Sequence, residues 1–540
     1  MKDPEYETKD SDTEEEPGTE KQPELADEVG YPTGLALTFI IAALVLSIFL
    51  VSLDMTMVPT AIPSITDEFR GLEDVAWYGS AFFMTLGGFQ STWGKVFKYF
   101  PLKAGFLISI LIFEIGNLVC GVAPNSTALI VGRAIAGVGA AGMGSGAYTI
   151  MAFTVPPKKR PIFTNILGTA YGVAAVVGPL IGGVVADRLT WRWCFYINPP
   201  IGCISGLIIL CAFAAPKRAK PVDAPLKEKM LQMDPVGIVL VMGGMISYTL
   251  ALQYGGQTMA WNDRTVLGLS VGFVVIVIVF GFWEFYNGER SMIVPRLFAN
   301  RDVRVSAIFT FLFAGSYFIV LYYLPMYFQS VHPSRATESG MHNLPLILSV
   351  AVSTMGASGL ISATGLAAPV AVVSAVLATV ASGLLYTLDI RTSPAKVLGY
   401  QILGGHGWGA AFQVPIVMAQ ATAAPGDISS VTAIILLFQN LGGAFMLSAA
   451  HPAFVRTMMQ RLAMTAPSVD PLLMLGTGAT QIRTVVPPDV VPGVLVAYMA
   501  GIQTTFVIAL VSVGLAVTVG IFSRFKRLNS RTLKVVDEVV

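Results

Sequence analysis

Apolar residues in this chain gather in runs of roughly 20, the length that crosses a bilayer as a helix, with short polar stretches between them. The runs fall near 36–60, 76–94, 104–123, 127–152, 163–186, 194–215, 235–255, 265–286, 304–328, 339–361, 367–388, 398–420, 428–450 and 494–522. Glycine and proline inside them do not count against helix, because neighbouring helices satisfy the backbone groups they free. The pattern predicts an all-α polytopic membrane protein of about 14 transmembrane helices.

The polar stretches orient it. An even number of helices puts both termini on one side of the membrane. With a cytosolic N-terminus, the inner loops and C-terminal tail carry about 20 Lys and Arg against about 10 outside, so both ends are expected to be cytosolic. Residues 1–35 read as an acidic, disordered cytosolic tail with no secretory leader, which leaves the first span as the targeting signal. Six spans are expected over 36–215 and a basic cytosolic connector over 216–233. Two further spans and a cytosolic loop follow over 234–302. Six more spans, with a long outer loop at 451–493, occupy 303–523, and a short cytosolic tail 524–540. Asn125-Ser126-Thr127 is a glycosylation sequon on the outer face, close to the membrane.

Composition agrees and excludes alternatives. Charged residues make up 12% of the chain, about half the share of a soluble protein. The net charge of +1 gives no electrostatic reason to bind nucleic acid. The four cysteines lie inside apolar runs without paired spacing, and the four histidines are scattered. No metal site, resident cofactor or enzyme active site is expected from them.

Candidate chemistry sits among the first six spans. Asp54, in Leu53-Asp54-Met55-Thr56, lies within the first span, where a charge costs about 2.5–3.5 kcal/mol on the insertion scale. Arg133 lies about 10 Å into the fourth span from the outer side, and Asp54 roughly 13 Å into the first. Their depths match, so they can pair if the two helices are neighbours. Glu114, midway along the third span, is a further buried carboxylate. In the fifth span Gly172, Gly178, Pro179, Gly182 and Gly183 form a block whose small residues admit close helix approach and whose proline bends the helix.

Together these blocks resemble the fourteen-span drug:proton antiporter group of the major facilitator superfamily. Leu53-Asp54-x-Thr56 matches its first-helix motif, Arg133 with Gly137 its fourth-helix motif, and Gly178 to Gly183 its antiporter motif. Thr60-Ala61-Ile62-Pro63, Trp77-Tyr78, the run from Phe113 to Ala123, and Trp191 to Asn198 look closer still to fungal toxin and secondary-metabolite efflux pumps. The resemblance is dense over residues 50–205 and sparser beyond, where Phe438-Gln439-Asn440-Leu441-Gly442-Gly443 carries it. The inner-loop motif departs from the family: Gly94, Lys95 and Lys103 keep its glycine and positive charges, but Lys98 stands where an aspartate is usual. Ala136 stands where the fourth-helix motif often has glutamine.

The resemblance implies the major facilitator fold, two six-helix bundles plus two extra helices between them, around a cavity exposed to each side in turn. It implies efflux of a bulky small molecule, a secondary metabolite, toxin or drug, in exchange for protons. Asp54, Arg133 and Glu114 are the candidates for proton coupling; Asn198, His406, Gln439 and Asn440 are candidates for the cavity wall. The energy source is a proton gradient, and the partners are the bilayer, the substrate and protons, with the chain acting as a monomer. The plasma membrane is the expected location, the vacuolar membrane the alternative. A proton-coupled uptake symporter and a non-transporting membrane receptor are the competing readings; the glycine–proline block speaks against the first and the short C-terminal tail against the second.

Overall fold

The computed structural model describes residues 32–69, 74–155, 160–215, 221–255, 259–331, 336–423, 427–475, 477 and 482–525. Most of the expected N-terminal tail, part of the 216–233 connector and most of the C-terminal tail lie outside them. The described chain is helical, with no strand among the described residues.

The first half comprises α1 (Gly34–Phe69), α2 (Val75–Tyr99), α3 (Leu102–Gly121), α4 (Ser126–Thr154), α5 (Arg160–Arg188), the short α6 (Trp193–Tyr196) and α7 (Asn198–Ala212). After α8 (Leu226–Gln232) come α9 (Pro235–Gln253), α10 (Arg264–Asn287) and the short α11 (Pro295–Phe298). The second half comprises α12 (Arg301–Ser330), α13 (Ala336–Thr364), α14 (Ala367–Tyr386), α15 (Pro394–Ala411), α16 (Val414–Gln420), α17 (Ile428–Thr465), the short α18 (Pro471–Leu475) and α19 (Ile482–Val485), and α20 (Val491–Ile521).

Among the described residues, 12 helices are long and apolar enough to cross a membrane, against the fourteen expected. The expected spans at 76–94 and 398–420 have no counterpart among the twelve. The first corresponds to α2, which carries Gln90, Ser91, Thr92 and Lys95. The second is broken at Phe412-Gln413, because Pro415 starts the new helix α16. Asn198-Pro199-Pro200 divides the sixth span in the same way, into α6 and α7.

Two helices run further than expected. α1 continues through Pro59 and Pro63 to Phe69, with Thr56, Thr60 and Thr66 hydroxyls bonded to its own backbone carbonyls. Asp54 therefore stands near the middle of the helix rather than toward its far end. α17 runs on past 450 to Thr465, so the front of the segment expected as an outer loop is helix. Thr465 and Gly493 close the stretch that follows, the threonine hydroxyl donating to the glycine carbonyl at 2.7 Å.

The two halves meet along α2 against α17 and α5 against α13. Much of this contact lies toward the face reached by the C-terminal end of α1, the face expected to be outer. Gln329 on α12 donates to the Thr60 carbonyl at 3.3 Å, and the Phe83 and Phe318 rings lie 4.3 Å apart. A side chain at Gly340 would strike the Pro179 carbonyl.

α9 lies against both halves. Trp77 of α2 donates to Gln253 at 2.8 Å, and Thr249 donates to Ser448 of α17 at 3.1 Å. On the opposite face, residues 288–298 knit α2, α9, α10 and α17 together. Lys95 donates to the carbonyls of Arg290 and Ser291, and Ser91 to that of Met292. Asp234 caps α9 and accepts from the Met292 amide at 3.1 Å and the Trp283 indole at 2.8 Å. Arg296 forks onto Asp427 at 2.8 and 2.9 Å, which holds that carboxyl below its usual range.

Candidate functional site

The Asp54 and Arg133 side chains are fully enclosed, at 0% exposure each, and form an ion pair of 2.5 Å between α1 and α4. The pairing expected between the two helices is present, although Asp54 stands farther from the outer end of α1 than expected because that helix runs on to Phe69. Arg133 is held on three sides. Its Nη1 donates to Asp54, its Nε donates to the Tyr78 carbonyl at 3.0 Å, and its guanidinium lies over the Phe82 ring at 4.3 Å. Asp54 Oδ1 and Arg133 Nη2 have no hydrogen-bond partner among the described residues. Enclosed charges without full hydrogen bonding are costly, so each partner of this pair depends on the other.

Glu114 is 7% exposed and lies in the face of α3 that meets α7, where a side chain at Gly202 would strike its carboxylate. Neither carboxylate oxygen has a partner among the described residues. A buried carboxylate with neither a counter-charge nor a hydrogen-bond donor is costly to keep enclosed. One turn further along the same face, Asn117 accepts from Asn198 at 2.9 Å. Below them Ser47 of α1 and Ser205 of α7 share a hydrogen bond of 2.8 Å. A seam of polar groups thus runs between α1, α3 and α7 beside the ion pair.

The glycine–proline block of α5 sits at a triple junction. Side chains at Gly178 or Gly182 would collide with Thr56, Thr60 and Met57 of α1. The Pro179 carbonyl faces Gly340 of α13, and a side chain at Gly172 would come 3.8 Å from Ala351 of the same helix. The small residues of α5 therefore serve contacts within the first half and between the halves. Gly183 is buried in the same helix.

Other candidates scatter. Asn198 is bonded inside the first half, to Asn117 and the Cys194 carbonyl. His406 is exposed on α15, with Nδ1 bonded to the Ile402 carbonyl. Gln439 and Asn440 are buried on α17, and a side chain at Gly87 of α2 would lie 3.2 Å from Asn440 Cβ, at the junction of the halves. Gly94 has open space around it, Lys95 holds the 288–298 segment, and Lys103 donates to the Leu210 carbonyl at 2.7 Å. Asn125 caps α4, accepting from the Ala128 amide at 2.9 Å. Among the described residues, no group of three or more His, Cys, Asp or Glu could hold a metal ion.

Sequence reasoning does not single out Tyr322, whose ring is 1% exposed and whose hydroxyl has no partner among the described residues. It also misses buried His451, whose Nδ1 lies 3.4 Å from the Tyr323 hydroxyl. An aromatic in an aromatic run reads as packing, and only the structure shows which hydroxyls are stranded. Asn117 is within reach of the sequence, since it lies one turn from Glu114.

A bundle of apolar helices in two halves, a charge pair sealed in one half, and small-residue contacts across the junction define a multi-pass membrane transporter. The chain matches the model of the Major Facilitator Superfamily over residues 44–447. It is 53% identical to the MFS-type transporter grgE of a Penicillium species over 93% of this chain and 89% of that protein. It is 40% identical to the MFS-type efflux pump MFS1 of Arthroderma benhamiae over 94% of this chain and 95% of that protein. Its fold is similar to the crystal structure of a bacterial homologue of the human lysosomal transporter Spinster, solved in an inward-facing and unoccupied conformation. That likeness has a TM-score of 0.65 at 14% identity and covers 91% of this chain and 98% of that one. The chain belongs to the Major Facilitator Superfamily.

Proposed function

We propose that this chain exports a bulky small molecule, a secondary metabolite or related toxin, in exchange for protons. The observation that carries the coupling is the enclosed Asp54–Arg133 pair, with an open acceptor on one partner and an open donor on the other. Export is supported by the likeness to an efflux pump over nearly the whole of both chains. Alternating access is the mechanism: the halves rock about the α2–α17 and α5–α13 junctions, and the cavity between them opens to each side in turn. Asp54 takes a proton from the outer side and releases it inside, and Glu114 beside it is a second proton-bearing carboxyl. The glycine–proline block of α5 is the bearing surface on which that motion runs.

The protein acts in the plasma membrane as a monomer with both termini in the cytosol, and needs only the proton gradient. Deletion of the gene in the producing organism tests the reading. The account expects at least one metabolite to fall in the medium and rise in the cells, restored by re-expression. An unchanged partition of every metabolite contradicts export.

A further inference from the structure

Tyr322 belongs to α12, in the second half, yet it lies against α2 of the first. A side chain at Gly79 would stand 2.7 Å from its hydroxyl oxygen and 2.6 Å from Leu447 of α17. The preceding residue, Tyr78, supplies the carbonyl that anchors Arg133 Nε at 3.0 Å. Successive residues of α2 thus hold Arg133 on one side and Tyr322 on the other. Tyr322 packs one residue along α2 from the group that anchors Arg133. Its hydroxyl and the Arg133 Nη2 are each enclosed and each without a hydrogen-bond partner among the described residues.

We propose that the Tyr322 hydroxyl is the alternative partner of Arg133, accepting its hydrogen bond across the two halves when Asp54 becomes protonated. This rests on the proton-coupled reading above and gives it a direction. With Asp54 ionised, the charge of Arg133 is balanced within the first half, leaving only Nη2 open, and no hydrogen bond ties it to the second. With Asp54 neutral, the guanidinium loses its counter-charge, and an enclosed cation finds a replacement acceptor or is strongly destabilised. The nearby acceptor on the other half is Tyr322, and that bond exists only while α12 lies against α2. Protonation therefore favours closure of the outer side. An exporter driven by protons needs this sign: it takes a proton while open outward, then turns inward because it carries one.

The titratable groups around Asp54 come from four elements: Arg133 on α4, Glu114 and Cys120 on α3, Cys194 on α6 and Tyr322 on α12. α5 meets α1 there through Gly178 and the Ala174 carbonyl, which accepts from Thr56 at 3.3 Å. Glu114 is therefore the competing proton acceptor, and the test must separate it from Asp54.

Nitroxide labels at Pro124→Cys and Ala395→Cys, exposed at the outer ends of the two halves, report the opening by pulsed electron resonance. The parent carries Ser at the exposed Cys203 and Cys211 and is held in lipid nanodiscs without substrate. From about pH 8 to about pH 5 the short-distance population should rise in the parent. Asp54→Asn should hold the short distance at both pH values. Tyr322→Phe keeps the ring that packs on Gly79. It should cut the ratio of closed to open at low pH about tenfold, the worth of one hydrogen bond to a charged group. Adding Tyr322→Phe to Asp54→Asn should restore the long distance at both pH values. A Tyr322→Phe shift equal to the parent's overturns the role of Tyr322 and leaves proton coupling standing. A shift lost in Glu114→Gln but kept in Asp54→Asn also overturns it, assigning the proton to Glu114. A parent distance that ignores pH overturns it too, and gradient-driven transport in vesicles then decides separately whether export is proton-coupled.

Discussion

Asp54 and Arg133 are enclosed together, and while both are charged each offsets the charge of the other. Loss of a single partner strands an enclosed charge at a cost of about 3–5 kcal/mol, whereas loss of both strands none. Asp54→Asn and Arg133→Gln should each lower the yield of monodisperse protein in detergent. The double variant should recover that yield without recovering proton-driven flux. A double variant folded no better than the singles is the contrary result. The pair is legible in part: a charge in an apolar run has few explanations, but the depth match assumes an end to α1 near residue 60, and the helix runs on to Phe69. Tyr322 is not, since its part depends on which neighbour its hydroxyl fails to meet. Asn198, a candidate for the cavity wall, donates its amide N–H to Asn117 at 2.9 Å, a partner that the sequence does not indicate.

At the scale of the helix, α5 is the element whose sequence and packing correspond most closely. Gly178 and Gly182 both meet α1, and Gly172 and Pro179 meet α13. Gly178 and Gly182 have no room for a side chain against α1, so bulk at either wedges the helix away, whereas Gly172 stands at ordinary contact distance from Ala351. Gly178→Leu should place its side chain against Thr56, hold α5 off α1, and abolish turnover in protein that still reaches the membrane. Surface biotinylation with a transport assay on the same cells checks both halves of that statement, and normal transport by correctly delivered protein refutes it. Helix ends are less legible than helix faces. Pro59 and Pro63 suggest an end to α1 that does not come: the helix runs on through both prolines to Phe69. At Pro415 the same residue type does break the chain, since Pro415 opens α16. The identity of the residue is the same in both places, and tertiary surroundings decide.

For the whole molecule, hydropathy predicts the helical membrane class because lipid leaves a chain few other options, and the two-part plan comes from the family resemblance. The role of residues 288–298 is not legible in the same way. That segment is short, mixes charged and apolar residues, and falls within what reads as a cytosolic loop. In the structure it joins α2 of the first half to α17 of the second through Lys95, Ser91 and Arg296. Lys95 is expected as a remnant of the inner-loop motif; it holds backbone carbonyls of the segment that follows the two extra helices.

The central claim is that a proton gradient drives export. Inside-out vesicles carrying the chain should be energised with an acid interior and supplied with the compound that disappears from the medium on deletion. The account predicts accumulation inside the vesicles, abolished by a protonophore and absent with Asp54→Asn. Accumulation that survives collapse of the gradient and requires ATP would contradict it.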